Sequence, residues 1–191
     1  MLDAAKAVLA QDGFSAFGVN AIARRAGCDK QLIYRYFGGL DGLVDAIALD
    51  LAALFGEALD DQQAPDLRTY PALIEHLLLS LLEAFRRSDL LLRVAAWEVF
   101  DPTPVTIRLS NARGQALAAW VEARRGTLQP PPGIDAPAIN ATLIAAVQHL
   151  ALSARSVGSF AGVALMSDPD WERIRLVLRA LVRTSYPNDA E

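Results

Sequence analysis

Apolar residues recur along this chain at intervals of three and four, and no stretch sustains the apolar-polar alternation of a half-buried strand. That period admits helices and little else, so the expected fold class is all-α. Leu2, Ala5, Val8 and Leu9 stripe a first helix ending at Gly13, and Val19, Ile22, Ala23 and Ala26 stripe a second, short helix stopped by Gly27. Asp29 is placed to cap a third, with Ile33 and Phe37 one turn apart on its inner face. A longer helix follows from Leu40 to Leu59, then others at about 71–87, 90–100 and from Val105 through Trp120. Two more close the chain, one from Ala136 to about Val163 and one opened by Asp168 as cap with Pro169 behind it. About nine helices are expected in all.

At 191 residues the chain is long enough to bury about 70% of its unfolded surface. Its 53% apolar and 21% charged residues exclude disorder. The longest uncharged stretch, Ala136–Ala154, reaches transmembrane length, but Asn140, Thr142, Gln148 and His149 interrupt it, and a buried helix is the expectation. The N-terminus carries no export signal, and a single cysteine fits a reducing compartment, so the protein is expected to be cytoplasmic and not membrane-bound. The net charge of −4 is unevenly spread: the first 48 residues carry five basic and five acidic side chains and are neutral, so the acidity lies in the remainder.

The neutral segment holds the feature that points to function. Two short helices joined through a glycine turn, the second capped by Asp29, have the geometry that sets a recognition helix into the major groove of DNA. Ala23 and Ala26 let the helices approach, and Ile33 with Phe37 anchors the recognition helix from behind. Lys30, Gln31, Tyr34 and Arg35 are left facing outward. Lys and Arg reach phosphates or guanine edges, Gln pairs with adenine, Tyr donates to phosphate, and Leu32 can meet a thymine methyl. The same spacing also suits a plain helical hairpin with a solvated charged face, and Arg24 and Arg25 fit either a phosphate contact or a solvated surface.

Residues 13–44, GFSAFGVNAIARRAGCDKQLIYRYFGGLDGLV, resemble the N-terminal signature of the TetR family of bacterial transcriptional regulators. The distinctive parts are GF at 13–14, V-x-x-IA at 19–23, AG at 26–27, LIYRYF at 32–37 and LV at 43–44. The resemblance implies a helix-turn-helix domain over residues 1–46 and a larger helical effector-binding and dimerisation domain over 47–191. It implies a DNA-contacting set of Gly18, Asn20, Arg24, Lys30, Gln31, Leu32, Tyr34, Arg35 and Tyr36. Three departures stand out. Phe17 and Gly18 replace the usual Thr or Ser that caps the second helix and touches phosphate. Leu40 replaces a Lys that commonly opens the fourth helix. The chain also begins inside what resembles the first helix, without a basic arm. A weak grip on the DNA backbone is therefore expected. Cys28, where the family prefers an aliphatic residue, is expected to be a small buried hydrophobe, with a redox sensor as the alternative.

The resemblance further implies an effector cavity, for which Phe55, Phe85, Trp97, Phe100 and Trp120 offer aromatic walls, and Arg93 and His149 polar contacts. Plain core positions and a structural histidine are the alternatives. The last two helices, with Leu143, Val147, Leu150 and Ala154 on one and Trp171, Ile174, Leu178 and Leu181 on the other, are expected to pair with a second copy as a four-helix bundle, or else to be buried within the monomer.

No nucleophile and base, carboxylate dyad, phosphate loop or metal-ligand spacing can be assembled, so no catalytic residue, metal site or cofactor is expected and the chain is not expected to be an enzyme. The expected partners are an operator duplex, a second copy of the chain and a small-molecule effector. The expected function is a repressor released from its operator by that effector, with a ligand-independent DNA-binding or architectural factor as the alternative.

Overall fold

The computed structural model describes residues 1–13, 16–60, 67–100 and 103–187. In chain order the elements are α1 (Leu2–Asp12), α2 (Val19–Ala26), α3 (Lys30–Phe37), α4 (Leu40–Asp60), α5 (Tyr70–Arg87), α6 (Asp89–Phe100), α7 (Pro104–Arg125), α8 (Ala136–Ser156), β1 (Ser159–Phe160), β2 (Val163–Ala164) and α9 (Asp168–Ser185). They fall into two compact units. Met1–Gly56 with Ser88–Leu117 makes one, and Glu57–Arg87 with Ala118–Glu191 makes the other.

The first unit buries Ala5, Val8 and Leu9 of α1, Ile22 and Ala23 of α2, Ile33 of α3 and Leu43, Val44, Ile47 and Leu51 of α4, the stripes expected from the 3.6-residue period. Gly13 ends α1 at φ 79° and ψ 179°, a region only glycine enters without strain, and a Cβ there would lie 3.4 Å from the Trp97 ring. Trp97 thus packs the end of α1 on α6. Lys6 of α1 reaches Asp50 of α4 at 2.6 Å, and that contact holds the ammonium above its ordinary pKa. Next to Trp97 on α6, the Glu98 side chain is buried and takes a two-pronged contact from Arg113 of α7, whose guanidinium also lies 5.9 Å from the centre of the Phe55 ring.

In the second unit, α5 is buried on nearly every turn and packs against α8 and α9. Tyr186, Asn140 and Tyr70 form a polar chain in which both tyrosines are buried and Asn140 half-buried. The Tyr186 hydroxyl donates to Asn140 Oδ1 at 2.7 Å, and Asn140 Nδ2 donates to the Tyr70 hydroxyl at 2.9 Å. Burial pushes the Tyr186 phenol up to about 12, so it stays a donor near neutral pH. Salt bridges from Arg175 to Glu83 and from Arg179 to Glu75 lace α9 to α5.

Three local expectations are corrected. The helix from Ala136 stops at Ser156, not near Val163, because Gly158 turns at φ 76° and the chain then forms a hairpin pairing Ser159 with Ala164 and Phe160 with Val163. Its turn, Ala161–Gly162, has positive φ at both residues, as two-residue hairpin loops favour. The last helix is capped by Ser167, one residue before the expected Asp168, because Ser167 and Asp170 exchange hydrogen bonds in a capping box. Finally, α8 is long and apolar enough to cross a membrane by length and composition, but only one face, Leu143, Val147 and Ala151, is buried, while Ala141, Ala145 and His149 are exposed.

Candidate nucleic-acid interface

Helix α2 opens at Gly18, whose extended backbone supplies no side-chain cap, so its first N–H groups lack the hydroxyl that Ser or Thr would provide. The helix closes at Gly27 in the left-handed conformation, φ 63° and ψ 32°, which redirects the chain within two residues. Asp29 then caps α3, its carboxylate accepting the Gln31 N–H at 2.8 Å. Ile33 is fully buried and Phe37 half-buried, fixing which side of α3 faces out.

That outer side carries Lys30, Gln31, Tyr34, Arg35 and Tyr36, all exposed. Leu32, expected to meet a base methyl, is half-buried, and Cys28 is likewise half-buried where full burial was expected. The Tyr34 ring lies against Gly39, where a Cβ would stand 3.5 Å from it, so the bare backbone after α3 shapes the ring's position. Arg35 reaches over the Tyr36 ring with 5.9 Å between guanidinium and centroid. Arg24 is exposed, whereas Arg25 is drawn to Gln11 and to Asp12 at 3.3 Å and serves α1–α2 packing.

Between the start of α2 and the face of α3 lies a hollow of about 490 Å³, lined by Phe17, Gly18, Asn20, Arg24, Lys30 and Tyr34 among others. Helix N-terminal N–H groups, two cationic side chains and a phenol on one concave surface are the donors a phosphate oxygen requires. Gly18, Asn20, Arg24, Lys30 and Tyr34, all expected to contact DNA, are thus brought together here.

The effector residues are placed differently. Phe55 and Trp97 belong to the first unit, and Phe85 and Trp120 to the second. Arg93 is exposed because Leu91, Leu92, Val94 and Ala95 take the inner face of α6, and Phe100 is 81% exposed at that helix's last residue. His149 stands on the outer face of α8, edge-on to Phe160 of the hairpin at 4.6 Å. Of the expected dimer residues, Leu143, Val147, Trp171 and Leu178 are buried in the chain's own core, Leu150, Ala154 and Ile174 are half-buried, and Leu181 is exposed.

Sequence reasoning missed two polar clusters. Trp120 Nε1 donates to Asp60 Oδ1 at 2.7 Å, Arg124 pairs with the same carboxylate and lies 4.2 Å from the Trp120 ring centre, and the buried His76 ring sits 5.4 Å from that indole. The other cluster joins Arg108 to Asp41 and Asp45. Nothing in local spacing announces either, since their members lie far apart in the chain.

The arrangement defines a helix-turn-helix module followed by further helices. Residues 1–47 match the family model described as bacterial regulatory proteins, tetR family. Among solved structures the chain is similar to a TetR family transcription regulator from Marinobacter aquaeolei, with 20% identity and TM-score 0.64 over 97% of this chain and 92% of that one. It is similar to a fatty acid degradation regulator from Bacillus halodurans, with 15% identity and TM-score 0.63 over 95% of each chain. It is also similar to a TetR-like transcriptional regulator from a Rhodococcus species, with 22% identity and TM-score 0.54 over 96% and 92%. Curated protein sequences give no match. The fold is that of TetR-family transcription regulators.

Proposed function

We propose that this chain is a homodimeric transcriptional repressor that binds a palindromic operator through α3 and leaves it when a small molecule binds the helical domain. The observation that carries the reading is the convergence of Lys30, Gln31, Tyr34 and Arg35 on the open face of α3 beside the donor-lined hollow at the start of α2. Phosphate seated in that hollow fixes register, while Gln31, Lys30 and Arg35 read base edges. A two-fold dimer presents two such helices to half-sites about 34 Å apart. An effector acts by changing their separation, through α4, whose first turn follows α3 directly. Such a regulator works in the cytoplasm, where its operator is.

The reading revises the expected dimer face. Leu176, Val177 and Leu181 of α9 are exposed, as are Ala141 and Ala145 of α8, and these offer small and apolar surface to a second copy.

Selection from a random-sequence duplex library, followed by footprinting on the enriched sequence, tests the DNA reading. A protected two-fold site supports it, and failure to enrich any duplex overturns it. Thermal shift against a metabolite library tests the effector. A compound that raises stability and releases DNA supports the repressor, while stability unmoved throughout leaves the ligand-independent factor.

A further inference from the structure

We propose that Arg108 is a positioning residue of the DNA-reading surface, halving the negative charge of two carboxylates at the start of α4 that otherwise repel the duplex. This rests on the DNA-binding reading above. Asp41 and Asp45 stand one turn apart on the first two turns of α4, and their side chains are 89% and 65% exposed. Arg108 of α7 meets both, with its Nη1 3.2 Å from Asp41 Oδ1 and 3.4 Å from Asp45 Oδ1, and it also donates to the Asp41 carbonyl at 3.5 Å.

The place of this cluster gives it consequence. Only Gly38 and Gly39 separate α3 from α4, so Asp41 lies four residues beyond the last residue of the reading helix. The backbone of Gly42 lies against the carbonyl oxygen of Phe37, so the first turn of α4 abuts the end of α3, and with charges interacting over about 8 Å at physiological salt a phosphate beside that end lies within the field of the carboxylates. Asp41 and Asp45 are two of the five acids in the first 48 residues, and they cancel the two-charge cationic excess that the segment would otherwise present to a duplex. Arg108 restores one of those two positive charges from outside the segment.

Its position is also built. Thr103 and Thr106 exchange hydrogen bonds at the start of α7, from the Thr103 N–H to Thr106 Oγ1 at 2.6 Å and from the Thr106 N–H to Thr103 Oγ1 at 3.2 Å. Thr106 is buried, and so is Leu109 beside Arg108, which fixes the helix surface from which the guanidinium extends.

The test compares Arg108→Ala, Arg108→Gln, Asp41→Asn/Asp45→Asn and the triple variant Arg108→Ala/Asp41→Asn/Asp45→Asn. Binding is followed by fluorescence anisotropy on the duplex enriched by the wild-type chain. Either Arg108 variant is expected to bind about three- to tenfold more weakly at ~0.1 M salt, with the loss shrinking as salt rises. The double Asn variant and the triple variant, whose clusters carry +1 and 0 against −1 in the wild type, are expected to bind at least as tightly as wild type. Arg108 variants that bind as wild type overturn the proposal while leaving the DNA reading intact. A triple variant as weak as Arg108→Ala also overturns it, because Arg108 then acts on the duplex itself. A wild-type chain that enriches no duplex removes the DNA reading and this proposal together. Melting temperature and helical circular dichroism verify folding, and Arg108→Gln, which keeps the aliphatic stem, serves should the alanine variant not fold.

Discussion

The backbone of Gly42 lies directly against the carbonyl oxygen of Phe37, so closely that a methyl group at position 42 would overlap it. The first turn of α4 is thereby seated on the last residue of α3. Two effects oppose each other in Gly42→Ala. Helix propensity favours alanine by about 1 kcal/mol. Overpacking against backbone, which cannot rotate away, costs about 1–3 kcal/mol. The steric effect is expected to win, so the variant should melt lower than wild type and bind DNA less tightly. Thermal denaturation checks the sign, and a higher melting temperature would refute the close approach.

His76 makes stability depend on pH. Burial lowers its pKa, the Arg124 cation lowers it further, and Asp60 opposes both without reversing them. The unfolded chain takes up the proton near pH 6.5, whereas the folded chain resists until lower pH. Stability from this site is therefore complete above about pH 6.5 and falls as pH drops toward the folded-state value. The difference in melting temperature between wild type and His76→Gln should change between about pH 7.5 and 5.5. A constant difference would exclude His76 as the group responsible.

Glu98 and Arg113 form a buried pair, their side chains 5% and 18% exposed. Removing one partner strands a charge, so Glu98→Leu should destabilise the fold by about 3–5 kcal/mol. Glu98→Leu with Arg113→Met should recover most of that, since apolar groups of similar volume often replace such pairs at little cost. Chemical denaturation of the two singles and the double measures the coupling. Additive effects would mean that the contact carries no coupling energy.

What was legible in the sequence was what is local. The helical period, the Asp29 cap and the left-handed Gly27 each depend on residues within one or two turns, and the structure has them where the spacing puts them. The hairpin after α8 escaped because two-residue strands are too short to show alternation. The exposed side of α3 was legible because Ile33 fixes the opposite face. Which apolar residues of α8 and α9 the chain buries in itself was not, because apolar side chains suit the chain's own core and an exposed surface at the same helical spacing. Leu178 and Leu181 lie one turn apart, yet the first is buried and the second open. Arg108 was invisible for another reason: its partners lie more than sixty residues away in the chain.

The salt dependence of binding follows from which cations remain for phosphate. Arg25 is held by Asp12 and Gln11, leaving Arg24, Lys30 and Arg35 on the exposed surface of α2 and α3. Three contacts per protomer in a dimer give a slope of log affinity against log salt of about −5. Titrations between about 50 and 200 mM salt measure it. A slope near −10 would demand cations that this surface does not present.

The proposed dimer face separates two kinds of leucine on α9. Leu178 is 3% exposed and packs in the chain's own core, so Leu178→Ala should cost about 2–5 kcal/mol whatever the oligomeric state. Val177 and Leu181, 53% and 44% exposed, lose little within the monomer when made polar. If a second copy covers them, Val177→Glu and Leu181→Glu place like charges across the two-fold axis and desolvate them, which should shift the protein to monomer at micromolar concentration. Sedimentation velocity reads the mass, and the same variants should lose cooperative binding to a two-half-site duplex while keeping weak affinity for a single half-site. A dimer that persists in both Glu variants would move the interface off this face of α9.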